Sequence, residues 1–246
     1  MFIPLLLTLV GIYAGAQNVL AGGGSFITFP ALMFAGLDPL SANITSTVAL
    51  SPSQLTSSIA GRSLVDGIHT TSFRQLLIIS LLGGAVGACL LLSTPVTIFV
   101  KIVPWLILFA TTIFAWGSFG KKLTLHKKMP PVVLLFLQSA ISIYGGYFGG
   151  GIGFLMIALL TIAGQQIKIA TATKNVLGFT MNLSAVAIFA YSPLVNWLDA
   201  IALGMGGIIG GLIGSLLLHK LSENLIRKFI ILVGIALTLW LFIKLY

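Results

Sequence analysis

Long apolar runs, separated by isolated charged residues, fill the chain from end to end. The uncharged stretches are 1–37, 39–61, 75–100, 102–120, 129–167, 175–198, 200–219 and 229–243. Six of them have the length of one membrane-crossing helix, which needs about 20 residues. The first and the fifth are too long for one ordinary crossing, and glycine interrupts both. Gly22, Gly23 and Gly24 stand in one, Gly149, Gly150 and Gly151 in the other. Glycine costs about 1 kcal/mol in a helix interior relative to alanine, so a run of it marks a break. Each long run then holds two helical pieces, 3–21 with 24–36 and 130–148 with 152–164, followed by helices at 42–61 and 170–190. The short second pieces reach only about 20 Å across a core of about 30 Å, so they meet a neighbouring segment partway.

Composition settles the environment. Of 246 residues, 58% are hydrophobic and 7% charged, with mean hydropathy +1.12. An average soluble domain has about 25% charged residues, and too little polar surface remains here to cover a water-facing exterior. The expected fold class is an all-α polytopic membrane protein with the lipid bilayer as its partner. The net charge of +9 is read as basic loops facing the cytoplasm and anionic headgroups, not as a nucleic-acid surface. The single cysteine, Cys89, excludes a disulfide frame and a CxxC site. Residues 1–20 carry no Lys or Arg ahead of their apolar run, so they read as a retained first membrane segment rather than a signal peptide.

Charge placement chooses the number of segments. If each long run crosses once, Lys and Arg divide almost evenly between the two sides. If each crosses twice, Arg62, Arg74, Lys121, Lys122, Lys127, Lys128, Lys168, Lys174, Lys220, Arg227 and Lys228 share one side, leaving Lys101 and Lys244 on the other. The positive-inside rule favours the second, ten-segment arrangement in the cytoplasmic membrane.

An internal repeat runs through this arrangement. Residues 22–48 align without a gap onto 150–176, with identities at Gly22/Gly150, Gly23/Gly151, Phe26/Phe154, Leu32/Leu160, Ala35/Ala163, Gly36/Gly164, Ala42/Ala170, Thr45/Thr173 and Val48/Val176. Further on, Gly83, Gly84 and Gly87 match Gly210, Gly211 and Gly214. The chain divides into a first transmembrane repeat at 1–120, a basic cytoplasmic linker at 121–129 and a second repeat at 130–246. Five segments per repeat is an odd number, so the second repeat enters from the opposite face. Inverted repeats built on interrupted helices are a transporter plan with the substrate near the midplane.

The candidate site follows from the breaks. Backbone freed by a broken helix survives in a membrane only where protein or a wet cavity satisfies it. A polar cluster follows each short piece: Ser41, Asn43, Thr45, Ser46 and Thr47 in one half, Thr171, Thr173, Lys174 and Asn175 in the other. Placed at the starts of the next helices, these groups would add hydroxyls, amides and one full cation to N-termini that favour anions. Asn182 lies two turns past Asn175, and Gln54 two turns past Thr47. The candidate substrate-binding residues are Gly22, Gly23, Gly24, Asn43, Thr45, Ser46, Gly150, Gly151, Thr173, Lys174, Asn175 and Asn182. Some alternatives stay open. Thr47, Thr171 and Gln54 equally suit bonding within the bundle. Lys174 also suits snorkelling to the interface, and the paired glycines suit close helix packing.

The glycine-rich break, the short helix and the Ala-x-x-Thr that follows, twice in one small chain, resemble the TauE/SafE family of membrane transporters. Ala172, Thr173, Lys174 and Asn175, with Asn182 beyond, are similar to that family's Thr-Lys signature and downstream Asn. The resemblance spans nearly the whole chain and implies movement of sulfite, sulfonates and related sulfur-containing anions across the cytoplasmic membrane, usually outward. The first repeat departs from the pattern, with Ser46 where the second has Lys174. The residues alone give only a small anion as substrate.

Other classes fit less well. His69, His126 and His219 lie near charged loop residues without GxSxG, HExxH or CxxC, so no catalytic site, metal or cofactor is expected. The four carboxylates, Asp38, Asp66, Asp199 and Glu223, fall between the apolar runs, which disfavours a cation pore and a buried proton or sodium relay. A scaffold without transport would not need paired broken helices. An anion leaving an inside-negative cell gains about 2.3 kcal/mol per charge per 100 mV, so export needs no coupled ion.

Overall fold

The computed structural model describes residues 2–20, 23–68, 71–119, 129–217 and 223–245. Gly22, the three histidines and the basic segment 121–128 lie outside the described residues. Ten α-helices occur among the described residues: α1 (Phe2–Leu20), α2 (Ser25–Phe34), α3 (Pro39–Gly61), α4 (Phe73–Ser93), α5 (Val96–Phe119), α6 (Pro131–Tyr147), α7 (Ile152–Ile162), α8 (Ile167–Phe189), α9 (Trp197–Leu217) and α10 (Glu223–Leu245). Both expected interruptions are present. Gly23 (φ +85°), Gly149 (φ +78°) and Gly151 (φ +75°) occupy left-handed backbone that a side chain would strain. The pieces beyond the breaks, α2 and α7, have 10 and 11 residues, only about 15 to 17 Å of helix.

Both short helices stop in the same way. The Leu37 amide donates to the Leu32 carbonyl and the Gly36 amide to Met33; Gln165 donates to Leu160 and Gly164 to Thr161. This is the Schellman closure, and its left-handed residue is Gly36 (φ +106°) in one half and Gly164 (φ +105°) in the other. The next helix starts three residues earlier than expected in each half. Asp38 caps α3 by accepting from the Leu40 and Ser41 amides, with Pro39 at its first turn. The polar clusters therefore lie one to two turns inside α3 and α8, not at their N-termini.

The packing pairs exchange when the halves are swapped. α1 packs on α9 as α6 packs on α4, α3 on α9 as α8 on α4, α2 on α3 as α7 on α8, and α10 on α2 as α5 on α7. α3 meets its own counterpart α8, and α5 meets α10. Near the start of α3, Thr45 accepts from the Asn196 amide just beyond α8. Near the start of α8, Thr173 accepts from the Asp66 amide beyond α3. These two bonds make α3 and α8 antiparallel.

Glycine allows the tightest crossings. A Cβ on Gly15 would collide with the Gly207 carbonyl, and one on Gly146 with the Gly84 carbonyl. Gly206 faces Thr8 and Gly210 faces Ile12, as Gly83 and Gly87 face Ile143. Gly83, Gly84 and Gly87 thus correspond in space to Gly206, Gly207 and Gly210, one helical turn from the sequence match. Low-complexity apolar sequence permits a four-residue slip; backbone contact does not. Large apolar side chains cover the outside, among them Leu5, Phe34, Leu82, Phe136, Leu198 and Ile243. Windows of mean hydropathy 2.4 in α4 and 2.1 in α5 are long enough to span a bilayer. Gly146→Val is expected to force α4 and α6 apart and cost at least about 1–3 kcal/mol. Thermal unfolding in detergent checks this, and an unshifted transition would contradict the packing.

Candidate functional site

At the crossing of α3 and α8 the two breaks frame a cavity of about 40 Å³. One water needs roughly 10–15 Å³ by the same measure, so the space holds a few waters or one small oxyanion. Asn18 of α1 lines it, with Gly23 and Ser25 at the first break and Gly149, Ile152 and Gly153 at the second. α3 contributes Thr47, Leu50, Gln54 and Ser57; α8 contributes Lys174, Asn175, Gly178, Phe179 and Asn182. Many of these are repeat equivalents, 128 positions apart: Ser25 and Gly153, Thr47 and Asn175, Leu50 and Gly178, Gln54 and Asn182. The last pair bond each other, Asn182 Nδ2 donating to Gln54 Oε1 at 2.6 Å. Two positions that the repeat alignment pairs thus meet beside the cavity.

Helix N-termini do face this space, but they are those of α2 and α7. Neither start has a side-chain cap; the Phe26 and Ile27 amides turn back to the Gly23 and Gly24 carbonyls, and the Phe154 and Leu155 amides to Gly151. Such ends carry about half a positive charge. The full charge comes from Lys174, which is 6% exposed and lines the cavity. No carboxylate lines the cavity. A buried charge normally requires a partner, so this arrangement favours an anion from outside the chain. Asn175 and the Gln54–Asn182 pair add amides, while the Thr47 hydroxyl donates within its own helix to the Asn43 carbonyl. The side-chain oxygen of Asn182 is buried without a partner among the described residues.

The candidates from sequence divide into two groups. Gly23, Lys174, Asn175 and Asn182 line the cavity. Asn43, Thr45, Ser46 and Thr173 do not; they hold the halves and loops together. Asn43 Nδ2 donates to the Tyr147 carbonyl, capping the end of α6 across the halves. Ser46 and Thr28 share a hydroxyl bond of 2.6 Å. Thr45 and Thr173 secure the loops at Asn196 and Asp66. Among the break glycines, Gly24 is buried under α1 and Leu50, Gly151 packs against Ala110, and the Gly150 carbonyl accepts from the Tyr144 hydroxyl. Asn18, Ser25, Ser57, Gly178 and Phe179 are additional lining residues. Only Asn18 carried a readable signal, as a polar residue ending an apolar segment.

A polytopic helical bundle with a buried, cation-bearing cavity between two matched halves is the build of a membrane transporter. The chain belongs to the sulfite exporter TauE/SafE family, whose model matches residues 7–241. It is 30% identical over 232 residues to the "Probable membrane transporter protein ORF9" of Sinorhizobium sp, covering 92% of this chain and 87% of that protein. A "Probable membrane transporter protein" of Haemophilus influenzae is 31% identical over 235 residues, covering 93% and 90%. The "Probable membrane transporter protein YfcA" of Escherichia coli K12 is 27% identical over 241 residues, covering 96% and 89%. No solved structure gives a significant match.

Gln54→Ala and Asn182→Ala are each expected to destabilise the bundle, with a coupling of about 0.6–1.7 kcal/mol between them. A double-mutant cycle on unfolding in micelles measures it; additive effects would contradict the bond.

Proposed function

We propose that this protein carries a small sulfur-containing oxyanion, such as sulfite or an organosulfonate, outward across the cytoplasmic membrane by alternating access. One observation carries the reading: the buried Lys174 lines a cavity beside side-chain amides and two helix starts, with no carboxylate among its described lining residues. The family's description as sulfite exporters supports the choice of anion. The role is binding and passage rather than bond chemistry.

The two halves are read as inverted repeats. The antiparallel course of α3 and α8 and the exchange of packing pairs support this reading. Related by an axis in the membrane plane, the halves would rock about the cavity and expose it alternately to each side. The anion sits against Lys174 and Asn175 with the starts of α2 and α7 behind it. An inside-negative potential drives its exit with about 2.3 kcal/mol per charge per 100 mV.

Uptake of labelled sulfite and methanesulfonate into proteoliposomes tests the site. Lys174→Ala is expected to weaken apparent affinity by about 1.5–3 kcal/mol, roughly ten- to a hundred-and-fifty-fold. Unchanged affinity would remove Lys174 from the site. Orientation is tested in a Cys89→Ser background. Ser63→Cys and Gln166→Cys are expected to react with an impermeant thiol reagent from the cytoplasmic side, and Tyr191→Cys from the other. Labelling of all three from one side would contradict the ten-segment arrangement.

A further inference from the structure

The cavity is symmetric in shape and asymmetric in charge. Position 174 is lysine, while its equivalent in the first half, Ser46, is neutral and turned to Thr28. The next turn differs in the same direction. Gly178 has open space where a Cβ would stand, and its equivalent Leu50 fills the first-half side. Room and charge thus coincide on the α8 side alone. One cation stands in the cavity, and no carboxylate or second cation lines it.

Resting on the carrier reading above, we propose that the cavity selects singly charged anions over doubly charged ones, with the serine–lysine difference between Ser46 and Lys174 setting the count. A monoanion neutralises the lysine and leaves no net charge in the membrane-embedded site. A dianion leaves one negative charge unmatched, and an unpaired charge at membrane depth costs enough to lower affinity about a hundredfold. Helix ends and amides offset part of that cost. They offset more for the dianion than for the monoanion, but partial charges of about half a unit at helix ends do not replace a second full cation.

Methanesulfonate and sulfate test this, being tetrahedral at sulfur, nearly equal in size and different by one charge. Uptake by the full chain in proteoliposomes is measured with the membrane potential held at zero, so that voltage favours neither. The wild type is expected to prefer methanesulfonate by about tenfold or more. Ser46→Lys, which adds the missing cation, is expected to reduce that ratio by about tenfold or more. The exchanged pair, Ser46→Lys with Lys174→Ser, is expected to keep the wild-type preference because the charge count is unchanged. If Ser46→Lys does not fold, the wild-type ratio decides. Equal uptake of both anions by the wild type, with Lys174 still required, would overturn the single-charge inference and leave the carrier reading standing. So would a folded Ser46→Lys protein with an unaltered ratio. Methanesulfonate uptake indifferent to Lys174→Ala would remove Lys174 from the site and overturn the single-charge inference, while uptake of neither anion would overturn the carrier reading itself.

Discussion

A helix interrupted inside a membrane must find new partners for the backbone groups it releases, because lipid offers none. The rest of this molecule is organised around meeting that demand twice. At the second break, Tyr144 donates its hydroxyl to the Gly150 carbonyl and Asn43 reaches across from the first half to the Tyr147 carbonyl. At the far ends of α2 and α7 the Schellman closures satisfy the last carbonyls internally. At the starts of the two short helices the first-turn amides turn back to Gly23, Gly24 and Gly151, and both starts border the cavity. Two helix starts, each carrying a partial positive charge, and the buried Lys174 side chain meet at the cavity.

Symmetry and its violation have separate roles. Equivalent packing pairs and identical helix closures give two halves of similar shape. The Gln54–Asn182 bond, one of several polar contacts between the halves, joins two positions that the repeat alignment pairs. Chemistry is placed off the axis. Lys174 and Gly178 give the α8 side charge and space, while Ser46 and Leu50 give the α3 side neither.

Much of the fold was legible because glycine speaks through the backbone. The breaks could be read because left-handed or interrupted backbone has few other residues to use, whereas Gly36 and Gly164, read only as a repeat identity, are the left-handed residues of the closures. The site was only partly legible, and the reason is rotation. Successive residues on a helix point about 100° apart, so a polar cluster at 43–47 distributes its side chains among several neighbours. Thr47 reaches the cavity, Ser46 meets α2, Thr45 secures a loop and Asn43 caps α6. Helix starts were misplaced by three residues because Asp38 and Pro39 begin α3 ahead of the cluster. Gly178 matters for the volume it leaves, and absent atoms carry no pattern along a sequence.

Long-wavelength anomalous diffraction from crystals grown with methanesulfonate tests the central claim most directly, with the sulfurs of Cys89 and the 6 methionines as internal references. The expected map has one further sulfur peak, between the two glycine interruptions and within hydrogen-bonding reach of the Lys174 ammonium. A cavity without that peak at saturating ligand, or a ligand sulfur bound elsewhere with Lys174 turned to lipid, would contradict the account.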